Sequence, residues 1–169
     1  MIRTLPLALL AVLLLAACRP AADAPAPVEA PSEARSASHE VAEGDLPLMT
    51  VYKSENCGCC VVWAERMEEA GFTVRQVNVP NMNDVRQRLG VPPQMGSCHT
   101  AVVGDYVVEG HTPAEDVKRM LAERPDAVGI AVPGMPIGSP GMEVVGRDPQ
   151  PYDVMLFTRE GGATVYASH

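Results

Sequence analysis

Basic charge is scarce in this chain of 169 residues: 13 Lys and Arg stand against 21 Asp and Glu, for a formal net charge of −8. The cations are scattered rather than clustered, and a protein without a basic footprint has little with which to neutralise phosphates. Nucleic acid is excluded as a partner. Long apolar runs are missing too. The longest, from Leu5 to Ala17, has 13 residues, whereas a helix that crosses a bilayer core needs about 20. Aromatic residues are few, with 2 Phe, 1 Trp and 4 Tyr against 5 Cys and 9 Met. That surplus of sulfur points to soft-ligand or thiol chemistry.

The apolar run is an export signal by its pattern: Arg3 precedes it and small residues close it. It ends Leu15-Ala16-Ala17-Cys18, which resembles the lipobox of a bacterial lipoprotein. The resemblance implies that residues 1–17 are removed and that Cys18 becomes the lipidated first residue, with Arg19 fitting the outer-membrane-destined pattern. Lipidation of Cys18 also accounts for an odd fifth cysteine and leaves four thiols downstream. Residues 18–47 contain 8 Ala, 5 Pro, 6 acidic residues and no aromatic. Such a segment buries too little apolar area to offset its ordering entropy. It reads as a disordered tether between membrane and domain, with His39 a solvated bystander.

The folded unit is expected over residues 48–169, without internal repeats. Leu48-Met49-Thr50-Val51-Tyr52 reads as a buried strand, and Cys60, Trp63, Ala64 and Met67 form a helical stripe that Gly71 ends. A strand over Phe72–Val79, a short helix capped by Asn83 and stopped at Gly90, and a hairpin of Ala101–Val103 with Tyr106–Val108 follow. In Thr112-Pro113-Ala114-Glu115 the sequence offers a Thr N-cap, Pro at the first helical position and a capping-box Glu. A Gly- and Pro-rich extension then begins at about residue 128 and closes on a hairpin around Gly161-Gly162. The order β-α-β-α-β-β-α is α/β and resembles the thioredoxin and glutaredoxin fold. Met49, Met67, Met120 and Met155 fall on strand or helix faces and read as core.

Cys57-Gly58-Cys59-Cys60 falls just after the first strand, where the first helix opens. Unpaired N–H groups and the positive end of the helix dipole favour thiolate over thiol there. A simple redox dithiol has no use for the third thiol, Cys59. A structural zinc site prefers two separated C-x-x-C pairs, and adjacent Cys59 and Cys60 do not easily chelate one ion together. Thiolates crowded in this way can bridge several soft ions, and Cu(I) suits them best. Cys98 lies in Gly96-Ser97-Cys98-His99-Thr100, just before the strand that opens the hairpin. In thioredoxin-like proteins a cis-proline precedes that strand and touches the dithiol; no proline stands here, so the resemblance implies that Cys98 or its neighbour takes the position facing the motif. Gly110-His111 returns to the same edge and offers an imidazole. In the extension, Met135 and Met142 sit among glycines and prolines that forbid helix or central strand, where thioethers are free to be ligands. Met95 stands between core and ligand in this reading.

The four runs Cys57–Cys60, Gly96–Thr100, Glu109-Gly110-His111-Thr112-Pro113 and Gly134-Met135-Pro136 with Gly138–Glu143 together resemble the periplasmic CopG-like proteins of bacterial copper-resistance clusters, which carry C-x-C-C. The unrelated DNA-binding repressor of the same name is not meant. The resemblance implies a thioredoxin-like domain that binds copper as a multinuclear thiolate cluster, holding Cu(I) and handling Cu(II) as well. The residue reading makes Cys57, Cys59, Cys60, Cys98, His111, Met135 and Met142 the candidate ligands, with a helix-start histidine and gap-filling methionines as the alternatives for the last three; the resemblance places the copper at the cysteine motif. It implies a monomeric copper-binding protein more than an enzyme, which sequesters copper or hands it to copper-handling envelope proteins. The lipobox, not this resemblance, gives the expected address: the periplasmic face of a bacterial membrane, the outer membrane favoured, through the lipid on Cys18 alone. The alternative function is thiol–disulfide oxidoreduction by Cys57 and Cys60.

Overall fold

The computed structural model describes residues 46–169. The leader 1–17, Cys18, His39 and nearly all of the tether lie outside the described residues. The elements follow in the order β1 (Met49–Lys53), α1 (Gly58–Glu69), β2 (Val74–Asn78), α2 (Met82–Leu89), a 3-10 turn (Pro93–Met95), β3 (His99–Val103), β4 (Tyr106–Glu109), α3 (Ala114–Glu123), β5 (Gly129–Ala131), β6 (Asp153–Phe157) and β7 (Ala163–Ser168). The expected β-α-β-α-β-β-α order is present. Among the described residues no helix is long and apolar enough to cross a membrane.

One seven-stranded sheet runs β2-β1-β3-β4-β5-β6-β7. β1 pairs parallel with β2 and β4 with β5, and the remaining pairs are antiparallel. The central strands β1, β3 and β4 are buried at nearly every position, including the polar residues Thr50, Lys53, His99, Thr100 and Glu109. Against them pack Trp63 and Met67 of α1 and Val117 and Met120 of α3, all fully buried. Each such large side chain contributes about 1.5–3 kcal/mol by leaving water. Met49, Met67 and Met120 belong to this core, and Met95 packs in a second cluster with Val91, Val107 and Phe157.

Three local expectations are corrected. The cap of α2 is Asn81, whose side chain accepts from the Asn83 N–H at 3.0 Å; Asn83 lies one step inside the helix. α3 starts at Ala114 with Pro113 as an N-cap that makes no side-chain bond. Thr112 is fully buried, and its hydroxyl donates to the Glu109 carbonyl at 3.3 Å instead of capping. The third concerns the extension, which enters the sheet at once. Gly129–Ala131 forms β5 beside β4, and the β6–β7 hairpin continues the same sheet. Three residues carry too little periodicity to announce a strand. The extension is thereby tied to β4, the strand that leads to His111.

Candidate metal centre

Four sulfurs meet at one end of the sheet. Cys57 is the N-cap of α1, and Cys59 and Cys60 occupy its first turn. Cys98 arrives from the turn before β3. Their Sγ atoms all lie within 4.8 Å of one another, with Cys57 to Cys59 at 3.6 Å, Cys59 to Cys98 at 3.7 Å and Cys60 to Cys98 at 3.5 Å. Cys57 and Cys60 are neighbours because they are three apart at the helix start, and Cys59 between them meets Cys98 across the centre. The Cα atoms of Cys57 and Cys60 are 5.3 Å apart, and the two are joined as a disulfide, leaving Cys59 and Cys98 free. The sequence reading treats all four as thiolates. The oxidised pair is the one its alternative function names.

His111 is fully buried, and its Nε2 lies 2.9 Å from Cys98 Sγ. Its other ring nitrogen, Nδ1, is 2.8 Å from the Pro140 carbonyl. A carbonyl only accepts, so Nδ1 carries the proton and Nε2 presents its lone pair to the sulfur. That is the arrangement metal-binding histidines adopt, with the far nitrogen tied to a carbonyl. Burial lowers the His111 pKa, which keeps the ring neutral and able to coordinate.

His99 is a second imidazole that the sequence reading quotes but does not nominate. It is fully buried, its Nδ1 lies 3.3 Å from Cys98 Sγ, and its ring stands edge-on to His111 at 5.0 Å. Its Nε2 is buried without a hydrogen-bond partner. Burial first, then the neighbouring His111, holds its pKa well below the ordinary histidine range. Cys98, His99 and His111 thus form a second ligand group, also within 4.8 Å. The sequence signal for His99 is its place next to Cys98 at the start of a buried strand. Its inward direction depends on Trp63, whose ring lies 4.3 Å away.

Cys98 itself is pushed up to about 12 by burial, and secondly by Cys59 beside it. In the metal-free chain it therefore keeps its proton. A metal ion arriving there must displace that proton.

The extension covers this centre. Gly134 N–H donates to the Gly96 carbonyl at 3.1 Å, and the Ser97 hydroxyl donates to the Gly134 carbonyl. Further on, Gly141 lies on α1 so closely that a Cβ there would come within 2.9 Å of the Cys59 carbonyl and the Trp63 nitrogen, and its φ is +83°. Only glycine suits that position. Gly110, with φ +72°, is equally bound: a Cβ would sit 2.5 Å from the Ser97 hydroxyl. The two methionines flank these contacts, Met135 next to Gly134 and Met142 next to Gly141. Met135 is 52% exposed and Met142 half-buried. Their backbones are at the rim of the centre, whereas the sulfurs and imidazoles form its interior.

Fold and site together define a small α/β protein with a thiol and imidazole centre at the end of its central strands, closed by its own C-terminal extension. Residues 95–142 match a family described as proteins of unknown function, DUF411. Two solved structures are similar along most of the chain. A copper resistance protein CopG in one form is 47% identical with a TM-score of 0.70, the match covering 74% of this chain and 99% of that one. A second form of that copper resistance protein gives 47% identity and a TM-score of 0.69, over 74% and 98%. No curated protein sequence matches. The chain belongs to the CopG family of copper resistance proteins.

Proposed function

We propose that this protein binds Cu(I) as a multinuclear thiolate centre on reduced Cys57, Cys59, Cys60 and Cys98, and sequesters it or hands it on in copper resistance. The observation that carries the reading is Cys98, whose sulfur lies within 3.7 Å of two motif sulfurs and 2.9 Å from a pre-oriented His111 Nε2. Sulfur donors suit soft Cu(I), and the imidazoles suit Cu(II), so both oxidation states find ligands here. His99, with its unpartnered Nε2, belongs to the nitrogen side. Met135 and Met142 are secondary thioether ligands from the rim. The chain acts as a monomer towards copper ions and copper-handling envelope proteins.

The test is metal analysis of the reduced domain loaded anaerobically. The wild type should hold more than one Cu(I) per chain, and Cys59→Ser should hold less. Full retention by Cys59→Ser would return the site to a simple dithiol. Thiol–disulfide oxidoreduction is the second reading, favoured by the Cys57–Cys60 disulfide. The buried imidazoles beside Cys98 weigh against it, since exchange between two cysteines does not need them.

Loading must also release protons. Because Cys98 keeps its proton through the neutral range, one proton leaves as copper binds, and affinity rises with pH by about tenfold per pH unit for each proton displaced. Between about pH 6 and 8 the slope of log affinity against pH should be about one unit smaller in Cys98→Ser than in the wild type. Equal slopes in competition titrations would place Cys98 outside the copper site.

The address follows from the lipobox: an outer-membrane lipoprotein facing the periplasm, tethered through residues 18–47. Cys18→Ala should move the protein into the soluble envelope fraction. Unchanged membrane association would refute lipidation.

A further inference from the structure

We propose that Arg86 and Glu109 are positioning residues of the metal centre: a buried ion pair that grips the backbone before Cys98 and so fixes its sulfur against Cys59, Cys60 and His111. The proposal rests on the copper reading above. Glu109 is fully buried and the Arg86 side chain is 15% exposed. Glu109 Oε1 accepts from Arg86 Nε and from the Ser97 N–H, each at 2.7 Å, and Oε2 accepts from the Thr100 hydroxyl at 2.5 Å. Arg86 Nη2 donates to the Ser97 carbonyl, and Nη1 donates to Asn83 Oδ1 at 3.1 Å. One ion pair thus holds both backbone polar groups of the residue before Cys98.

The same glutamate reaches the other side of the centre through its main chain. Its carbonyl accepts from the Val132 N–H at 3.0 Å and from the Thr112 hydroxyl at 3.3 Å. Val132 follows β5 and Thr112 follows His111. Glu109 therefore joins the Cys98 turn, the His111 turn and the root of the extension, while touching none of the four sulfurs.

Stability alone is a poor account of such a pair. Desolvation offsets much of a buried salt bridge, and apolar residues of similar volume often replace one without loss. What apolar residues cannot do is hold an N–H and a C=O in fixed directions. A fully satisfied buried network selects one arrangement of its neighbours, and outer-shell partners of metal ligands act in that way.

The test uses the full chain, reduced and metal-free, with Glu109→Gln, Arg86→Lys and the double variant Arg86→Met/Glu109→Met. Alkylation of each cysteine is followed by peptide mass mapping, with Cys57 as internal reference, and folding by circular dichroism. Cys98 should react about tenfold faster in Glu109→Gln, the factor by which losing a charge-assisted hydrogen bond favours local opening. Cys57 should change little. On loading, Cu(I) affinity should fall about 10- to 100-fold, with an altered thiolate-to-copper absorption band. The double variant removes both charges together, so it should fold, melting below the wild type only by the loss of the Ser97 and Thr100 hydrogen bonds, yet keep the fast Cys98 and the altered band. Wild-type Cys98 reactivity and band in that folded double variant would overturn the proposal. Where Glu109→Gln does not fold, the double variant decides. Where neither folds, Arg86→Lys decides, since it keeps the charge on Glu109 but gives up the two-pronged grip on Ser97. If the wild type takes up no copper, the copper reading fails, while the alkylation rates still decide whether the clamp holds Cys98.

Discussion

Cys98→Ser is expected to cost the chain more Cu(I) affinity than any other single substitution outside the C-x-C-C motif. Among the described residues Cys98 alone belongs to both ligand groups, the four sulfurs and the Cys98–His99–His111 set. Among the described residues it is also the one cysteine that lies away from the start of α1. The motif cysteines share one helical turn, so each can partly cover for the loss of another. Cys98 comes from the turn before β3 and closes the centre from the opposite side. Its loss leaves three sulfurs on a helix end and two imidazoles aimed at an empty place. Removing a residue one shell further out costs about 10- to 100-fold in affinity, so removing this ligand should cost at least about a hundredfold. Competition against a Cu(I) chelator under anaerobic conditions measures it. An affinity within threefold or so of the wild type would mean that α1 holds copper by itself, and the convergence of Cys98, His99 and His111 would need another purpose.

How much of this was legible in the sequence differs from residue to residue. The three motif sulfurs follow from spacing alone, because a C-x-C-C run at a helix start has few geometries open to it. Cys98 and His111 needed topology as well: the expected hairpin returns to the edge where the first helix begins, and the structure brings both residues there. His99 was harder. As the first residue of β3, next to Cys98, it becomes an inward residue only through packing on Trp63, a tertiary contact with no local signal. The Arg86–Glu109 pair was harder still, since its partners lie 23 residues apart and look like any two surface charges until β3 and α2 enclose them. The short strand β5 has no local signal, because Gly129-Ile130-Ala131 inside a Gly- and Pro-rich stretch reads as loop. Its strand character comes from the open β4 edge it completes.

Closing the Cys57–Cys60 disulfide before loading should leave the protein with little capacity for multinuclear copper. Reduced, the centre offers four thiolates with a summed charge of −4, and up to four Cu(I) would neutralise them in a partly buried site that tolerates excess charge poorly. Oxidised, as described here, it retains only Cys59 and Cys98 as thiols. Two thiolates carry a summed charge of −2, and with the neutral imidazoles of His111 and His99 they suit one soft ion better than a bridged cluster. Opening the bridge takes two electrons and two protons, which a small dithiol supplies as it becomes a disulfide itself. The multinuclear copper load binds only the opened form and so favours it by mass action. Chain kept oxidised should hold about one Cu(I) or fewer after desalting, and chain pretreated with the dithiol should hold at least about twice as much. The copper-loaded chain should also resist reoxidation, seen as slower loss of alkylatable Cys57 and Cys60 than in the metal-free reduced chain. Equal copper content in the two forms would show that the motif pair contributes no ligands, and would leave Cys57 and Cys60 to the thiol–disulfide chemistry of the second reading.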